Sequence, residues 1–286
     1  MYGAMIFPEN HTYTSCRGTR KVKQSISAAA NVNIGKRRGN NEDNLYFNGV
    51  FLTEHTREQP LDIESVCCDK RQFYAVCDGM GGEQYGELAS LLAAETIHKY
   101  AEYLKKETSI KMDALIERCI FEMNDVICDA QKSMGSSRIG TTLALLVIEG
   151  KTANIYNVGD SRVYLLRGGS LSQLTEDHTS VANAVKMGVL TPEQAKTHPS
   201  RNKLTQYVGI DPAEFIIEAY RKTVKMKSKD IFLLCSDGLS DLVEESEIRR
   251  ILDESGKPAE AARQLLDYAL YRGRKDNITS IILKCN

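Results

Sequence analysis

The run "FYAVCDGMGGEQYGELAS", residues 73–90, passes from an apolar stretch to an acid, Asp78, then to Gly79, Gly81 and Gly82, and then to a helix-like pattern. Asp-Gly is among the commonest turn dipeptides, so taken alone it marks only the end of a strand. A second stretch repeats the arrangement: "IFLLCSDGLSD" is apolar from Ile231 to Cys235 and ends in Asp237-Gly238. Further acids stand at strand boundaries, Glu42 and Asp43 in "RRGNNEDNLYF" and Asp276 in "GRKDNITS". Strand ends far apart in sequence can converge on one sheet edge, where gathered carboxylates repel unless they are protonated or bound to cations. Carboxylate, backbone carbonyl and water suit Mg²⁺ or Mn²⁺, and the eight cysteines show no metal-thiolate spacing.

Working outward, Ala89, Ala93, Ile97, Tyr100 and Leu104 recur in steps of three or four, and Met112, Leu115, Cys119, Met123, Val126 and Ala130 do the same. The spacing predicts two helices, each with one buried stripe. Between 141 and 175, short apolar runs are separated by Glu149-Gly150, Gly159-Asp160 and Gly168-Gly169, hairpin signals that make neighbouring strands antiparallel. Thr191, Pro192 and Gln194 then offer a capped, proline-started helix. "ISAAANVNIG" and "DNLYFNGVFL" read as the first strands, helices follow near 244–253 and 258–271, and "ITSIILKC" reads as the last strand. The polar stretch Thr53–Arg71 is expected to be a loop insertion, and residues 1–25 a tail or docked extension of a 26–286 domain. Strands and helices in segregated blocks indicate an α+β sandwich.

At 286 residues, 42% hydrophobic and net charge −1, the chain can bury a substantial core and carries no basic footprint for nucleic acid, which tells against a two-metal nuclease. No signal-peptide pattern opens it, and "LALLVI" (143–148) is too short to cross a bilayer. Cysteines without a CxxC pair fit a reducing compartment.

Six landmarks stand in order: "RRGNNED" (37–43), "AVCDGMGG" (75–82), "GTT" (140–142), "NVGDSRVYLL" (157–166), "SDGLSD" (236–241) and "DN" (276–277). Together they resemble the metal-dependent serine/threonine protein phosphatases of the 2C (PPM) type, in their bacterial form. The resemblance implies a four-layer α-β-β-α sandwich, two antiparallel sheets flanked by helices, with two Mn²⁺ or Mg²⁺ ions at one edge. Carried over by position, Asp78 bridges both ions, Asp237 and Asp276 bind one, and the Gly79 carbonyl binds the other. Glu42 and Asp43 act on that second ion's side, partly through water, and Asp160 joins Asp237 at a third, weaker ion. Arg38 has the spacing of the family's phosphate clamp, with Arg37 as its rival; a guanidinium fork holds two phosphate oxygens at once.

The implied reaction is hydrolysis of phosphoserine and phosphothreonine on proteins by direct attack of a metal-bound hydroxide, with no phosphoenzyme. The alternative is a catalytically silent member that holds phosphoproteins. Many eukaryotic members carry a histidine where this chain has Met80, so no general acid is assigned. Residues 177–209 resemble the family's flap, with Arg201 and Lys203 available to a phosphopeptide. Thr141 and Thr142 read as structural, His178 as polar surface and Asp241 as a helix cap. The implied setting is a cytoplasmic monomer acting on phosphorylated proteins and opposing a serine/threonine kinase in signalling, with no nucleic-acid or membrane partner.

Overall fold

A computed structural model describes residues 11–14, 25–36, 38–81, 85–106, 111–135, 138–273 and 276–286. The first strands are β1 (His11–Thr14), β2 (Ile26–Asn33), β3 (Asp43–Phe47), β4 (Val50–Phe51), β5 (Leu61–Cys67) and β6 (Arg71–Met80), followed by α1 (Gly86–Lys106) and α2 (Met112–Ser133). A meander of β7 (Gly140–Thr141), β8 (Leu143–Glu149), β9 (Thr152–Val158), β10 (Arg162–Arg167) and β11 (Ser170–Gln173) leads to α3 (Ser180–Lys186) and α4 (Pro192–Thr197). The chain closes with β12 (Tyr220–Lys225), β13 (Ile231–Cys235), α5 (Asp237–Ser240), α6 (Glu245–Glu254), α7 (Pro258–Arg272) and β14 (Ile278–Cys285).

Two sheets result. One runs β1-β5-β2-β14-β13-β10-β11; the other runs β12-β9-β8-β6-β3-β4, with β7 attached to β6. All pairings are antiparallel except β1 with β5. The period of two along a strand decides the layers. In β6, Phe73, Ala75 and Cys77 face the α1–α2 core, whereas Tyr74 and Val76 face the other sheet. A strand covered on both faces reads as one unbroken apolar run, which is why "FYAVC" precedes Asp78. The helical stripe Ala89, Ala93, Ile97, Tyr100 and Leu104 fills the first core, and Ile248, Ile251, Leu265 and Ala269 of α6 and α7 cover the other sheet's outer face. The four layers are those the resemblance implies.

Thr53–Arg71 is not a loop. Only 53–60 turns; β5 then pairs with β2 from Ile26↔Cys67 to Val32↔Leu61. Asp62 and Glu64 point outward on either side of inward Ile63, so the strand carries too few apolar positions to announce itself. In β12 every second residue is exposed, and it hides for the same reason. Residues 11–14 dock on the sheet edge as β1. Cys68 is disulfide-bonded, whereas Cys77, Cys119, Cys128, Cys235 and Cys285 are buried thiols.

Candidate metal centre

The pairing registers bring the scattered acids to one end of the sandwich. Asp43 and Asp78 share a rung of β3 and β6. Cys235 pairs with both Arg162 and Ser280, so Asp237 just after β13, Asp160 in the β9–β10 turn and Asp276 just before β14 emerge side by side. Glu42, Asp78, Asp160, Asp237 and Asp276 line one open cavity of about 560 Å³, together with Arg38.

Both Asp-Gly glycines are required by close backbone approach. A Cβ on Gly79 would sit 2.2 Å from the Gly86 carbonyl oxygen and 2.4 Å from that of Glu42; on Gly238 it would sit 1.9 Å from the Asn277 oxygen. Backbone cannot yield as a side-chain tip can, so Gly238→Ala is expected to cost about 3 kcal/mol, read as a lower urea midpoint at constant slope.

Asp78 is pinned by its own backbone. Its N–H donates to Thr142 Oγ1 (3.0 Å), and its carbonyl accepts from Thr142 N (2.9 Å) and Thr141 Oγ1 (3.0 Å). The two threonines are structural, as expected, and what they hold is the central carboxylate. Thr142 Oγ1 in turn meets Ser161 Oγ at 2.7 Å, beside Asp160.

Glu42 and Asp43 part company because successive residues of a strand point to opposite sides. Glu42 lines the cavity near the start of α1, where the Gly86 backbone opposes the rise that burial imposes on its carboxyl. Asp43, expected on the second ion's side, lies behind the cavity wall, where its Oδ2 accepts hydroxyls from Ser236 (2.9 Å) and Thr279 (2.7 Å). Asn277 is a positioning residue the sequence reading missed. Its Oδ1 accepts from Glu42 N (2.8 Å), and its Nδ2 donates to the carbonyls of Ile34 (2.8 Å) and Asn40 (3.1 Å), stapling the loop that carries Arg38. The available signal was its place in the "DN" landmark, which labels no chemistry.

Burial and mutual repulsion hold these carboxylates above their ordinary range. Burial pushes Asp43 up to about 7 against its two hydroxyl donors, with Asp237 and Asp276 adding to the rise. Asp160 goes to about 8, through burial and then Asp237 and Asp177. Asp237 goes to about 6, through burial, Asp241 and Asp276, eased by a hydrogen bond with Asp78. Asp78 is raised well above its ordinary value, by burial and by four surrounding acids, Asp43 first. Such a set of oxygen donors fits hard divalent cations, which would relieve the repulsion that raises every one of these groups.

Asp276 gives both oxygens to Arg38, at 2.8 Å from Nε and 2.9 Å from Nη2, and Glu42 stands 3.7 Å from Nη1. Among the described residues no three His, Cys, Asp or Glu side chains form a closed ligand set. With both partners roughly two-fifths exposed, the Arg38–Asp276 pair contributes little to stability and can exchange. Arg37 lies outside the described residues. His178 joins the start of the 177–209 segment to the turn before Asp160: its backbone N–H donates to the Gly159 carbonyl (2.9 Å) and its Nδ1 accepts the Gly159 N–H (3.2 Å). Asp241 does not cap α6, whose N-cap is Glu244; it faces Arg201 at 3.5 Å. Helix α4 has the expected capping box of Thr191 and Gln194.

Comparison with known proteins places these features in context. The protein phosphatase 2C family model matches residues 63–270. The serine/threonine phosphatase Stp of Listeria innocua is 33% identical over 254 residues, covering 88% of this chain and 93% of that one. The crystal structure of the Mycobacterium tuberculosis serine/threonine phosphatase PstP superposes with a TM-score of 0.76 at 30% identity, over 91% of this chain and 98% of that one. The PstP catalytic domain in complex with two manganese ions gives 0.74 at 28% identity, over 92% and 99%.

Proposed function

Because the chain belongs to the protein phosphatase 2C family, we propose that its carboxylate cavity is a two-ion centre. It is a metal-dependent protein serine/threonine phosphatase that uses Mn²⁺ or Mg²⁺. The observation that carries the site reading is the convergence of five acids from five separate segments on one cavity. In this reading Asp78, Asp237 and Asp276 would hold one ion, and Asp78 with the Gly79 carbonyl would hold the other. Glu42 would act on the second ion's side from the cavity wall, and Asp160 would join Asp237 at a third, weaker ion. Asp43 acts from behind, raising the proton affinity of Asp78. The catalytically silent alternative gains no support, because none of the acids is lost.

The ions supply Lewis acidity, which acidifies water and offsets phosphoryl charge. The chain's own residues do the rest. Thr141 and Thr142 fix Asp78, and Asn277 fixes the loop presenting Arg38. Arg38 leaves Asp276 to grip two phosphate oxygens, freeing that carboxylate for an ion. Asp160, Asp237 and Asp276 exclude anions until cations are in place, so a phosphate binds only to the loaded centre.

Phosphate release from a phosphoserine peptide that requires Mn²⁺ and stops with chelator tests the reading; turnover unchanged in excess chelator contradicts it. Arg38→Lys keeps the charge but loses one of two parallel bonds, so kcat/KM should fall about 10- to 100-fold. A value within twofold of the parent would remove Arg38 from the clamp.

Phosphorylated proteins are the substrates, so a serine/threonine kinase must supply them. We further propose that residues 26–286 form the phosphatase domain, with 1–25 an extension and 177–209 a flap over the cavity. Asn202, Leu204 and Tyr207 of that flap line the cavity, which supports the assignment. No helix among the described residues is long and apolar enough to cross a membrane. A monomer in the cytoplasm, where a kinase finds ATP, completes the proposal; the buried thiols agree with it and the Cys68 disulfide does not.

A further inference from the structure

Arg138 stands in the wall of the same cavity, two residues before Gly140, whose strand pairs with β6 at Met80. It is exposed, and among the described residues nothing forms an ion pair or hydrogen bond with its guanidinium. Arg38, the other cation lining the cavity, is engaged by Asp276 and Glu42. Of the two flap cations the sequence suggested, Arg201 faces Asp241, and neither it nor Lys203 lines the cavity.

The backbone beneath Arg138 is firmly held. Gln131 of α2 donates to the carbonyls of Ile139 (2.7 Å) and Gly209 (2.6 Å), tying the Arg138 segment to the flap's end. The Tyr207 ring lies so close to Gly140 that a Cβ there would be 2.6 Å from Cδ2. Tyr207 lines the same cavity as Arg138, whose charge opposes the rise that burial imposes on the phenol. An unpartnered arginine carried on a held backbone beside the proposed phosphate site is suited to a second anionic group on the same ligand, because a guanidinium binds carboxylate and phosphate alike.

Resting on the phosphatase reading, we propose that Arg138 is a specificity residue, selecting phosphoproteins that carry a second anionic group, carboxylate or phosphate, within a few residues of the target phosphoserine or phosphothreonine.

The test uses the Mn²⁺-loaded full chain and a peptide series with one target phosphoserine. Flanking positions on either side carry Ala, Glu, Lys or a second phosphoserine, so carboxylate and phosphate are read separately. The parent should favour an acidic flank over Ala by about 5- to 10-fold in kcat/KM, the size expected for a partly exposed charge pair. Arg138→Ala should bring that ratio to about one, Arg138→Lys should keep part of it, and Arg138→Glu should favour the Lys flank. A merely structural role would lower all peptides together and leave the ratio alone. Equal handling of the series by the parent, or a ratio that survives in Arg138→Ala, overturns the inference. Non-hydrolysable phosphonate versions, followed by fluorescence anisotropy, separate it from the reading beneath. Acid-selective binding without turnover of any phosphopeptide sinks the phosphatase reading and upholds Arg138, whereas turnover without selectivity does the reverse.

Discussion

Asp78→Asn should reduce Mn²⁺-dependent phosphate release by on the order of 10³-fold or more in kcat/KM, because the residue assigned to both ions loses its charge and several kcal/mol of Lewis-acid stabilisation go with it. The same change should leave the metal-free fold as stable as the parent or more stable. Asp78 sits fully buried among Asp43, Asp237, Asp160 and Asp276, and each of them raises the cost of its charge. An isosteric amide keeps the shape, while the backbone hydrogen bonds to Thr141 and Thr142 do not depend on the side chain. A carboxylate kept for structure would behave oppositely. A large loss of melting temperature without metal would therefore assign Asp78 to the fold, and near-parental turnover would remove it from the centre.

Added Mn²⁺ should stabilise the protein far more at pH 8 than at pH 5.5. Asp237, Asp43 and Asp160 titrate in the folded chain near 6, 7 and 8, each raised above its ordinary value. A carboxylate raised by folding keeps its proton where the unfolded chain has released it. Its contribution to metal-free stability is thus fully present below about pH 4 and is lost as pH rises through 6 to 8. Ions must displace these protons, so their affinity moves the other way, by about tenfold per pH unit for each proton displaced. Melting curves with Mn²⁺ or with chelator should diverge steadily over that interval. Curves that stay parallel, or that converge as pH rises, would mean that Asp237 and Asp160 do not meet the ions.

The layers were legible where burial imposes a period. The stripes of α1 and α2 and the apolar strands β6 and β13 face cores, and their residue types follow. Strands β5 and β12 were not, because Asp62, Glu64, Arg221 and Lys225 spend their polar side on solvent and leave too little apolar signal. At the centre, acids announced themselves by chemistry, yet sequence could not say which member of Glu42-Asp43 faces the cavity. Only the start of β3 at Asp43 sets that phase. Asn277 and the proposed role of Arg138 stayed hidden for another reason: the one rests on a partner 235 residues away, the other on the lack of an ion pair or hydrogen bond among the described residues, and neither is written in local pattern.

Crystals soaked in Mn²⁺ and measured for anomalous scattering at the manganese edge give the most direct test. Two strong peaks are predicted, one reached by Asp78, Asp237 and Asp276 and one by Asp78 and the Gly79 carbonyl, with Arg38 released from Asp276. A fully occupied soak that places manganese elsewhere, or leaves those oxygens without a peak while the Arg38–Asp276 pair persists, would contradict the assignment of this cavity as the metal centre.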